Sequence, residues 1–348
     1  MKKSFATSLH LPVSQIKSGW YSDKYFVRTR EVLLRDRNKN TVLMQIFCKD
    51  HALLAGIKEV VQLLGVGAYE PRRLKVKTLK DGDWVEPWET IATLEGGYST
   101  FAHLETLYLG ILARRTMIAT NVREIVDMVK PKPVLFFGAR FDYFLNQEGD
   151  GYAAFLGGAE GVSTDAGASW LKERGMGTIP HGLIAAYGGD TVAACEAFDR
   201  HIPSTVKRIA LVDFDNDCVN TSVAVARALG RRLWAVRLDT SEKLRDRSVK
   251  KKGKKSFGVC AELVWNVRHA LDREGFSWVR IVVSGGFNVE RIRRFKRQSV
   301  PFDAVGIGSG FFGRRFDFTA DVVKVNGKAC AKVGRGFRPN PRLKTIKW

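Results

Sequence analysis

The sequence predicts an α/β fold in which a small α+β unit is followed by a (β/α) barrel. The first hundred residues mix strand-like and helix-like patterns, whereas short apolar strands alternate with helical stretches from about residue 105 onwards. Repeated strand–helix units build a parallel sheet. Six or seven such units in about 210 residues favour a barrel over one half of a Rossmann fold.

In the N-terminal unit, residues 32–47 (VLLRDRNKNTVLMQIF) suggest two strands around a polar turn at residues 35–40. Residues 52–64 place apolar side chains at helical spacing, which predicts a helix. Residues 76–96 contain β-rich pieces separated by turn signals at Asp81-Gly82 and Glu86-Pro87. These patterns together predict mixed α and β structure.

The barrel region opens with a long helical stretch, residues 101–129. Strands are then expected at VLFFG, FLGGA, GTIPH, IALVDFD, LWAVRLD, WVRIVVSGG and FDAVGIGSG, with helices such as ASWLKERG and TVAACEAFDRH between them. The tail contains the turn signal Asn326-Gly327, which predicts a hairpin, and we expect it to return to the N-terminal unit.

The formal net charge is +21, which favours polyanionic partners such as nucleic acid, anionic lipid or phosphorylated small molecules. Three segments concentrate this charge, namely residues 243–255, 291–297 and 322–348. For residues 243–255, a solvated loop is the default interpretation.

Composition also bounds the class of protein. Five cysteines are scattered singly, without a CxxC pair, which argues against a disulfide framework and against a zinc site. No apolar run reaches the length of a membrane span, and the first residues lack the apolar core of a signal peptide. We therefore expect a cytoplasmic protein with reduced thiols and no bound structural metal.

Chemistry in parallel α/β folds gathers where strands end, and polar residues stand at each predicted strand end. Phe137 and Arg140 could stack on a flat ring and hold an anion, and His181 follows another strand. On position alone each of these could instead be structural. Asp213, Asp215 and Asp217 crowd one strand end and could serve a metal or sugar hydroxyls.

Arg237 and Asp239 lie two residues apart on one strand and should point to the same side. They could hold a phosphorylated sugar or form a plain salt bridge. Two glycine-rich strand ends follow, and such loops let backbone N–H groups approach a phosphate. Their candidate residues are Ser284, Gly285, Gly286, Gly308 and Ser309.

Ten stretches resemble nicotinate phosphoribosyltransferase and, more distantly, the nicotinamide and quinolinate phosphoribosyltransferases. They are YSDKYFVRT, FFGARF, GGAEGVSTDAG, GTIPHGLIAAYGGD, LVDFDND, AVRLDTSE, GVCAELVWNVRHALDREGF, VRIVVSGGFN, DAVGIGSG and VVKVNGKACAKVGR, in the family's order. The resemblance implies an N-terminal α/β sandwich (residues 1–105), an irregular α/β barrel (residues 106–319) and a tail (residues 320–348) that completes the sandwich.

The resemblance also implies a homodimer with a shared active site, in which the segment containing Asp23 and Tyr25 reaches into the partner's barrel. It implies that Tyr25 and Phe137 sandwich the pyridine ring, with Arg140 and Arg237 near the ring and the ribose phosphate. Asp213 and Asp239 would lie near the ribose and the reacting centre. The two glycine loops would hold the 5′-phosphate.

By the same resemblance, His181 is phosphorylated transiently when ATP is a co-substrate, and Mg²⁺ accompanies the pyrophosphate group. The nicotinamide enzymes carry an amide-binding Asp where this chain has Ser163, and a carboxylate there would repel nicotinate. The sequence therefore favours nicotinate and phosphoribosyl pyrophosphate as substrates, in NAD salvage. Asp165, two residues further on, weakens this argument.

Three alternatives remain open. The first is a nicotinamide phosphoribosyltransferase, since Asp165 could take the place of the amide-binding Asp. A quinolinate phosphoribosyltransferase is another alternative, but quinolinate has a second carboxylate and would require more cations in the site. Its enzymes also lack the phosphohistidine, so the presence of His181 argues mildly against this substrate. A basic nucleic-acid-binding protein is the alternative outside enzymes. The net charge supports it, but no RNA-binding signature is present in the sequence.

Overall fold

The structure is a computed structural model that describes residues 11–251, 253 and 256–348. It contains a six-stranded antiparallel sheet, a six-stranded parallel sheet and one two-stranded ribbon. The fold class predicted from the sequence is confirmed, since an α/β sandwich built on the antiparallel sheet accompanies an irregular barrel built on the parallel sheet.

The strands, numbered in chain order, have these bounds: β1 Thr41–Cys48, β2 Ala52–Leu53, β3 Lys75–Thr78, β4 Trp84–Val85, β5 Thr90–Gly97, β6 Val134–Phe136, β7 Gly161–Val162, β8 Arg208–Leu211, β9 Leu233–Leu238, β10 Arg280–Val283, β11 Ala304–Ile307, β12 Phe318–Val325, β13 Lys328–Ala329 and β14 Lys344–Thr345. The α-helices are α1 Val13–Ser18, α2 Lys24–Arg35, α3 Ile57–Gly67, α4 Glu105–Val129, α5 Gln147–Gly157, α6 Asp165–Ala168, α7 His181–Ala186, α8 Thr191–His201, α9 Cys218–Leu229, α10 Ala261–Arg273 and α11 Val289–Arg297.

The antiparallel sheet joins the two ends of the chain in the order β13-β12-β1-β5-β3-β14. The long strand β1 pairs with β5 on one side and with β12 of the tail on the other. The tail hairpin turns at Asn326-Gly327, as the sequence predicts, and β14 pairs with β3 at the far edge. The C-terminal tail therefore supplies three of the six strands.

The parallel sheet has the order β7-β6-β11-β10-β9-β8. An irregular segment lies between its edge strands: Met176 N–H donates to Val162 of β7 (2.7 Å), and Ile179 N–H donates to Ile209 of β8 (3.2 Å). This segment therefore links the two edge strands and completes the barrel wall, although it does not pair with either strand as a continuous β-strand. Small side chains such as Ala235 and Ala304 fill the barrel interior together with larger apolar ones.

Helix α4 connects the two layers. Its 25 residues pack against β2 and β12 on one side and against α5, β6 and α11 on the other. The Thr116 and Thr120 hydroxyls accept the backbone N–H groups of Ala55 and Leu53, at 3.1 and 3.0 Å. Because these hydroxyls satisfy buried backbone donors, α4 fixes the β2 region against the barrel.

Four local predictions are wrong. The first predicted strand around residues 32–35 is the end of α2, and FLGGA lies mainly in α5. GTIPH (residues 177–181) does not form a strand and makes only isolated backbone hydrogen bonds. Pro180 lacks an N–H to donate to a neighbouring strand, and Gly177 has no side chain to pack. The ASWLKERG stretch is the end of α6 and a single 3-10 turn. Short apolar runs do not distinguish strand from buried helix by periodicity alone.

None of the described helices combines the length and apolarity required to cross a bilayer.

Candidate functional site

The carboxyl ends of the parallel strands meet at one edge of the barrel. Phe137 and Arg140 follow β6, Ser163 follows β7, and Asp213 lies just beyond β8. Arg237 and Asp239 stand at the end of β9, and the two glycine loops follow β10 and β11. All these strands are parallel, so this edge collects nearly all the candidate residues predicted from the barrel sequence.

Arg237, Asp239 and Ser284 form the centre of this edge. An Arg237 Nη1 lies 3.3 Å from Asp239 Oδ2 and 3.2 Å from Ser284 Oγ. The Ser284 hydroxyl lies 2.8 Å from Asp239 Oδ1 and 3.1 Å from the Leu238 carbonyl oxygen. The buried Arg237 Nε–H has no acceptor among the described residues. This guanidinium therefore keeps donor capacity for an anionic ligand.

His181 and Asp213 form a second pair at the same edge. His181 Nε2 lies 3.0 Å from Asp213 Oδ1, and the imidazole is 46% exposed while the carboxylate is 7% exposed. Burial raises the pKa of Asp213 above the usual carboxyl range, and the nearby Asp239 charge adds to this, while His181 opposes it. A solvent-accessible imidazole oriented by a buried carboxylate suits reaction with a ligand in the cleft.

The Phe137 ring lies beside this cationic centre. The Arg237 guanidinium carbon is 6.0 Å from the ring centroid. Glycine is needed at position 306, because a Cβ there would lie 2.2 Å from the ring. Burial lowers the pKa of Arg237, and its proximity to Arg140 lowers it further, while the acidic partners oppose both. The two arginines and the ring therefore share one region.

The first glycine loop turns through the left-handed backbone region, with φ of 80° at Gly285 and 69° at Gly286. Arg291 on α11 supports it by donating to the Gly285 carbonyl (2.7 Å) and pairing with Glu242 (3.1 Å). A Cβ on Gly286 would lie 2.2 Å from Glu242 Oε1. The sequence placed Arg291 in a run of concentrated positive charge without a specific role, and the structure shows that it is a buried positioning residue.

Ser163 lines a narrow recess of about 10 Å³ between the ends of β6 and β7. The Gly138–Ala139 backbone forms another wall, so the recess adjoins the loop that carries Arg140. Thr164, beside Ser163, caps α6 by accepting the Gly167 N–H at 3.1 Å. The second glycine loop, with Gly308 and Ser309, follows β11, the neighbour of β6.

A charge network centred on the buried Asp150 supports the recess, and sequence reasoning missed it. Asp142 and Asp150 line the recess, and Arg114 contacts both carboxylates at 2.5 Å. Arg115 adds a 2.9 Å ion pair to Asp150 and another to Glu59. Arg114 and Arg115 stand inside a long predicted helix, where no spacing signal separates a buried arginine from a solvated one.

Asp23 and Tyr25 lie in the other layer, on the segment around the start of α2. Asp23 accepts a 2.8 Å hydrogen bond from Thr106 and Tyr25 is 60% exposed, with its ring against Phe26. Within this chain the structure does not bring Tyr25 to Phe137 among the described contacts. The predicted sandwich of the pyridine ring would need a second chain.

The three aspartates after β8 have different environments. Asp217 caps α9 by accepting the Asn220 N–H at 3.4 Å, and Asp215 is exposed. Only Asp213 pairs with His181. The residue pattern by itself did not separate these three aspartates, because alternation along an irregular loop does not show where each side chain points. The family resemblance had singled out Asp213.

The described part of the basic insert contains a buried carboxylate. Asp246 is 1% exposed and accepts hydrogen bonds from the N–H groups of Cys218 and Ser248, both at 2.9 Å. The default interpretation as a solvated loop is therefore wrong at Asp246 and Val249, which are buried, while Leu244, Arg245 and Arg247 are exposed. Lys252, Lys254 and Lys255 lie outside the described residues.

Comparisons with known proteins agree with this architecture. The family described as quinolinate phosphoribosyl transferase, N-terminal domain, matches residues 23–116. A curated relative, nicotinate phosphoribosyltransferase pncB2 of Mycobacterium tuberculosis, is 24% identical over 332 residues, covering 86% of this chain and 68% of that protein. Nicotinate phosphoribosyltransferase of Bacillus subtilis is 24% identical over 235 residues, covering 67% of this chain and 44% of that protein.

Solved structures extend the match. The crystal structure of nicotinate-nucleotide pyrophosphorylase from Pyrococcus furiosus has a TM-score of 0.83 and 32% identity, covering 99% of this chain and 86% of that one. Human nicotinic acid phosphoribosyltransferase has a TM-score of 0.65 at 17% identity, covering 89% and 75%, and shows the shared fold. On these matches, the chain belongs to the type II phosphoribosyltransferase family, which includes the nicotinate and quinolinate phosphoribosyltransferases.

Proposed function

We propose that this chain transfers the phosphoribosyl group of phosphoribosyl pyrophosphate to nicotinate, giving nicotinate mononucleotide and pyrophosphate in NAD salvage. The observation that carries the proposal is the cluster of Arg237, Asp239 and Ser284, with the His181–Asp213 pair at the same edge. The cluster offers a cation, two carboxylates and an aromatic ring to one ligand. The reduced buried cysteines suit a cytoplasmic enzyme.

The chemistry follows from charge development. As the C1–O bond to pyrophosphate breaks, positive charge grows on the ribosyl carbon, and the carboxylates of Asp213 and Asp239 stabilise it. The pyridine nitrogen then forms the new bond to C1 with its own lone pair. No strong general base is required, so the site mainly positions the ring between aromatic faces. Phe137 supplies one such face.

Mg²⁺ is part of the proposal as a companion of the pyrophosphate. Hard oxygen ligands suit this ion, and Asp213 and Asp239 offer them. No group of three or more potential ligands is assembled in the described part of the chain, so most ligands would come from the substrate. Bound there, the ion would neutralise charge on the leaving group.

We also propose a homodimer with a shared active site. Large apolar side chains are exposed on the α1–α2 corner, including Trp20 (73%), Tyr25 (60%) and Val32 (64%). A second exposed group, Tyr143 (60%) and Phe144 (62%), lies on the loop after β6 at the rim of the cleft. Docking the first group of one chain on the second group of its partner would cover both and bring Tyr25 to Phe137.

Mixed dimers test this arrangement. We expect Tyr25→Ala and Asp239→Asn chains to be nearly inactive alone. After dissociation and reassembly of an equal mixture, about a quarter of wild-type activity should return, because half of the dimers then carry one intact site. If the reassembled mixture stays as inactive as its components, Tyr25 and Asp239 act within one chain and the shared site is wrong.

Ser163→Asp is expected to raise the KM for nicotinate about tenfold or more at neutral pH, because the new carboxylate would face the substrate carboxylate. Ser163→Asn is the matched control, since the asparagine side chain has the same size as that of aspartate but carries no charge. A nicotinate KM that rises equally in both variants would indicate a steric effect and would place Ser163 away from the carboxylate.

Quinolinate is the second candidate substrate, and a specific observation favours it: the family model that matches residues 23–116 is named for quinolinate phosphoribosyl transferase. Against quinolinate, the described cations beside Phe137 are Arg140 and Arg237. Two cations suit the single carboxylate of nicotinate and one phosphate, whereas quinolinate has a second carboxylate. Nicotinate, nicotinamide and quinolinate should therefore be compared at equal concentration, with phosphoribosyl pyrophosphate and Mg²⁺. Preferred turnover of quinolinate or nicotinamide would overturn the assignment to nicotinate.

A nucleic-acid-binding role would instead show steeply salt-dependent RNA binding by a protein that turns over none of the three bases.

A further inference from the structure

A second polar concavity lies at the opposite end of the barrel from the candidate active site. It forms where β8, β9 and β10 begin, and its volume is about 490 Å³. Five cationic side chains and a single carboxylate, Asp199, line it, together with Trp234 and Trp278. We call it the basal pocket. The proposed phosphoribosyl transfer does not use it.

Two of the five cations have structural roles. Arg208 is 5% exposed and donates to Asp199 (2.7 Å) and to the carbonyl of Pro203 (2.7 Å). Arg232 also pairs with Asp199 and donates to the Leu229 carbonyl. The lone carboxylate of the pocket is therefore already shared by two guanidinium groups.

The other three cations stack on the indoles. Lys207 Nζ lies 4.5 Å from the Trp234 ring centroid, and the Arg280 guanidinium carbon lies 4.8 Å from it. The Arg231 guanidinium carbon lies 3.8 Å from the centroid of Trp278. All three are exposed, and none has an ion-pair partner within the described ranges. These cation–π contacts favour a position of each cation beside the pocket while leaving its N–H donors free.

One of the tryptophans that line the pocket has an unsatisfied donor. The Trp278 indole Nε1–H is buried and has no acceptor in the described part of the chain. Three cations that lie against indole rings surround a concavity of the size that small ligands occupy. A ligand that suits it carries several negative oxygens within a short span. A flat protein surface or a long polymer groove would not need such a concave shape.

We propose that the basal pocket binds an oligophosphate group, either free or as the phosphate chain of a nucleotide. Trp234 and Asp239 lie on the same strand segment five residues apart, about 17 Å at the usual rise of an extended chain. A ligand in the basal pocket therefore does not overlap a substrate at the strand ends. The proposal is independent of which base the enzyme uses.

Calorimetric titration of the full chain with inorganic tripolyphosphate at about 0.15 M NaCl tests the proposal. We expect two sites per chain, one at the strand ends and one in the basal pocket. The triple variant Lys207→Gln, Arg231→Gln, Arg280→Gln should lose one site or bind there at least about tenfold more weakly. The single variant Arg231→Gln should weaken the same site and guards against misfolding of the triple variant.

The charge-matched control is Arg72→Gln, Arg73→Gln, Lys77→Gln, three exposed cations near β3. It should keep both sites. Tighter binding of ATP than of tripolyphosphate at the basal site would identify a nucleotide, and equal binding would identify the phosphate chain alone. Unchanged binding in the triple variant, or an equal loss in the control, would overturn the proposal. Single-stranded RNA binding that requires these residues without tripolyphosphate binding would also overturn it.

Discussion

The Asp239→Asn variant is expected to lower kcat for nicotinate mononucleotide synthesis by about 10²–10³-fold, the range found when one group that stabilises transition-state charge is removed. Asp239 holds Arg237 and Ser284 at 3.3 and 2.8 Å, so the substitution removes a charge and loosens its neighbours. Steady-state kinetics with saturating nicotinate would measure the change.

The same variant should move the pH profile in a known direction. The Asp239 charge is one cause of the raised pKa of Asp213, so its loss should lower that pKa. The acidic limb of the rate profile, where Asp213 becomes protonated, should shift to lower pH. Asp215→Asn, at an exposed carboxylate nearby, is the control and should leave kcat and the profile unchanged. Equal losses in both variants would contradict a special role for Asp239.

His181→Ala is expected to abolish stimulation by ATP while leaving ATP-independent synthesis. In the tautomer that donates Nε2–H to Asp213, the Nδ1 atom keeps its lone pair. We propose that Nδ1 attacks the γ-phosphorus of ATP, so that ADP leaves and a phosphohistidine forms. Water later hydrolyses this bond and releases phosphate.

Retention of ³²P from γ-labelled ATP by the wild type, and its loss in His181→Ala, would support this step. His201→Ala is the matched control, because His201 is an exposed histidine at the end of α8. Undiminished ATP stimulation in His181→Ala would remove His181 from the coupling reaction.

Much of the fold follows from local pattern. The strands β8 to β11 are short apolar runs that end in polar or small residues, and the sequence predicts all four. The run at residues 32–35 was mistaken for a strand because Val32, Leu33 and Leu34 form a short apolar run before a polar turn. In the structure, Val32 and Leu34 are exposed on α2 and do not form a buried strand face. The sequence of one chain does not show whether a partner chain contacts such residues.

The candidate site could also be predicted only in part from local sequence pattern. Residues at strand ends, such as Arg237, were found because parallel strands place their carboxyl ends together. The supporting charges at Arg114, Arg291 and Asp246 were not found, since their partners are distant in sequence. Arg291, for example, holds a loop through Gly285 and through Glu242, which is 49 residues away. Such contacts depend on packing that local periodicity does not encode.

The most direct test of the central claim is the balance of products formed by the purified chain with nicotinate, phosphoribosyl pyrophosphate and Mg²⁺ in the absence of ATP. We predict nicotinate mononucleotide and pyrophosphate in equal amounts, identified by mass, with formation strongly reduced in Arg237→Ala. Absence of the mononucleotide, or an undiminished yield in Arg237→Ala, would contradict phosphoribosyl transfer to nicotinate at this edge of the barrel.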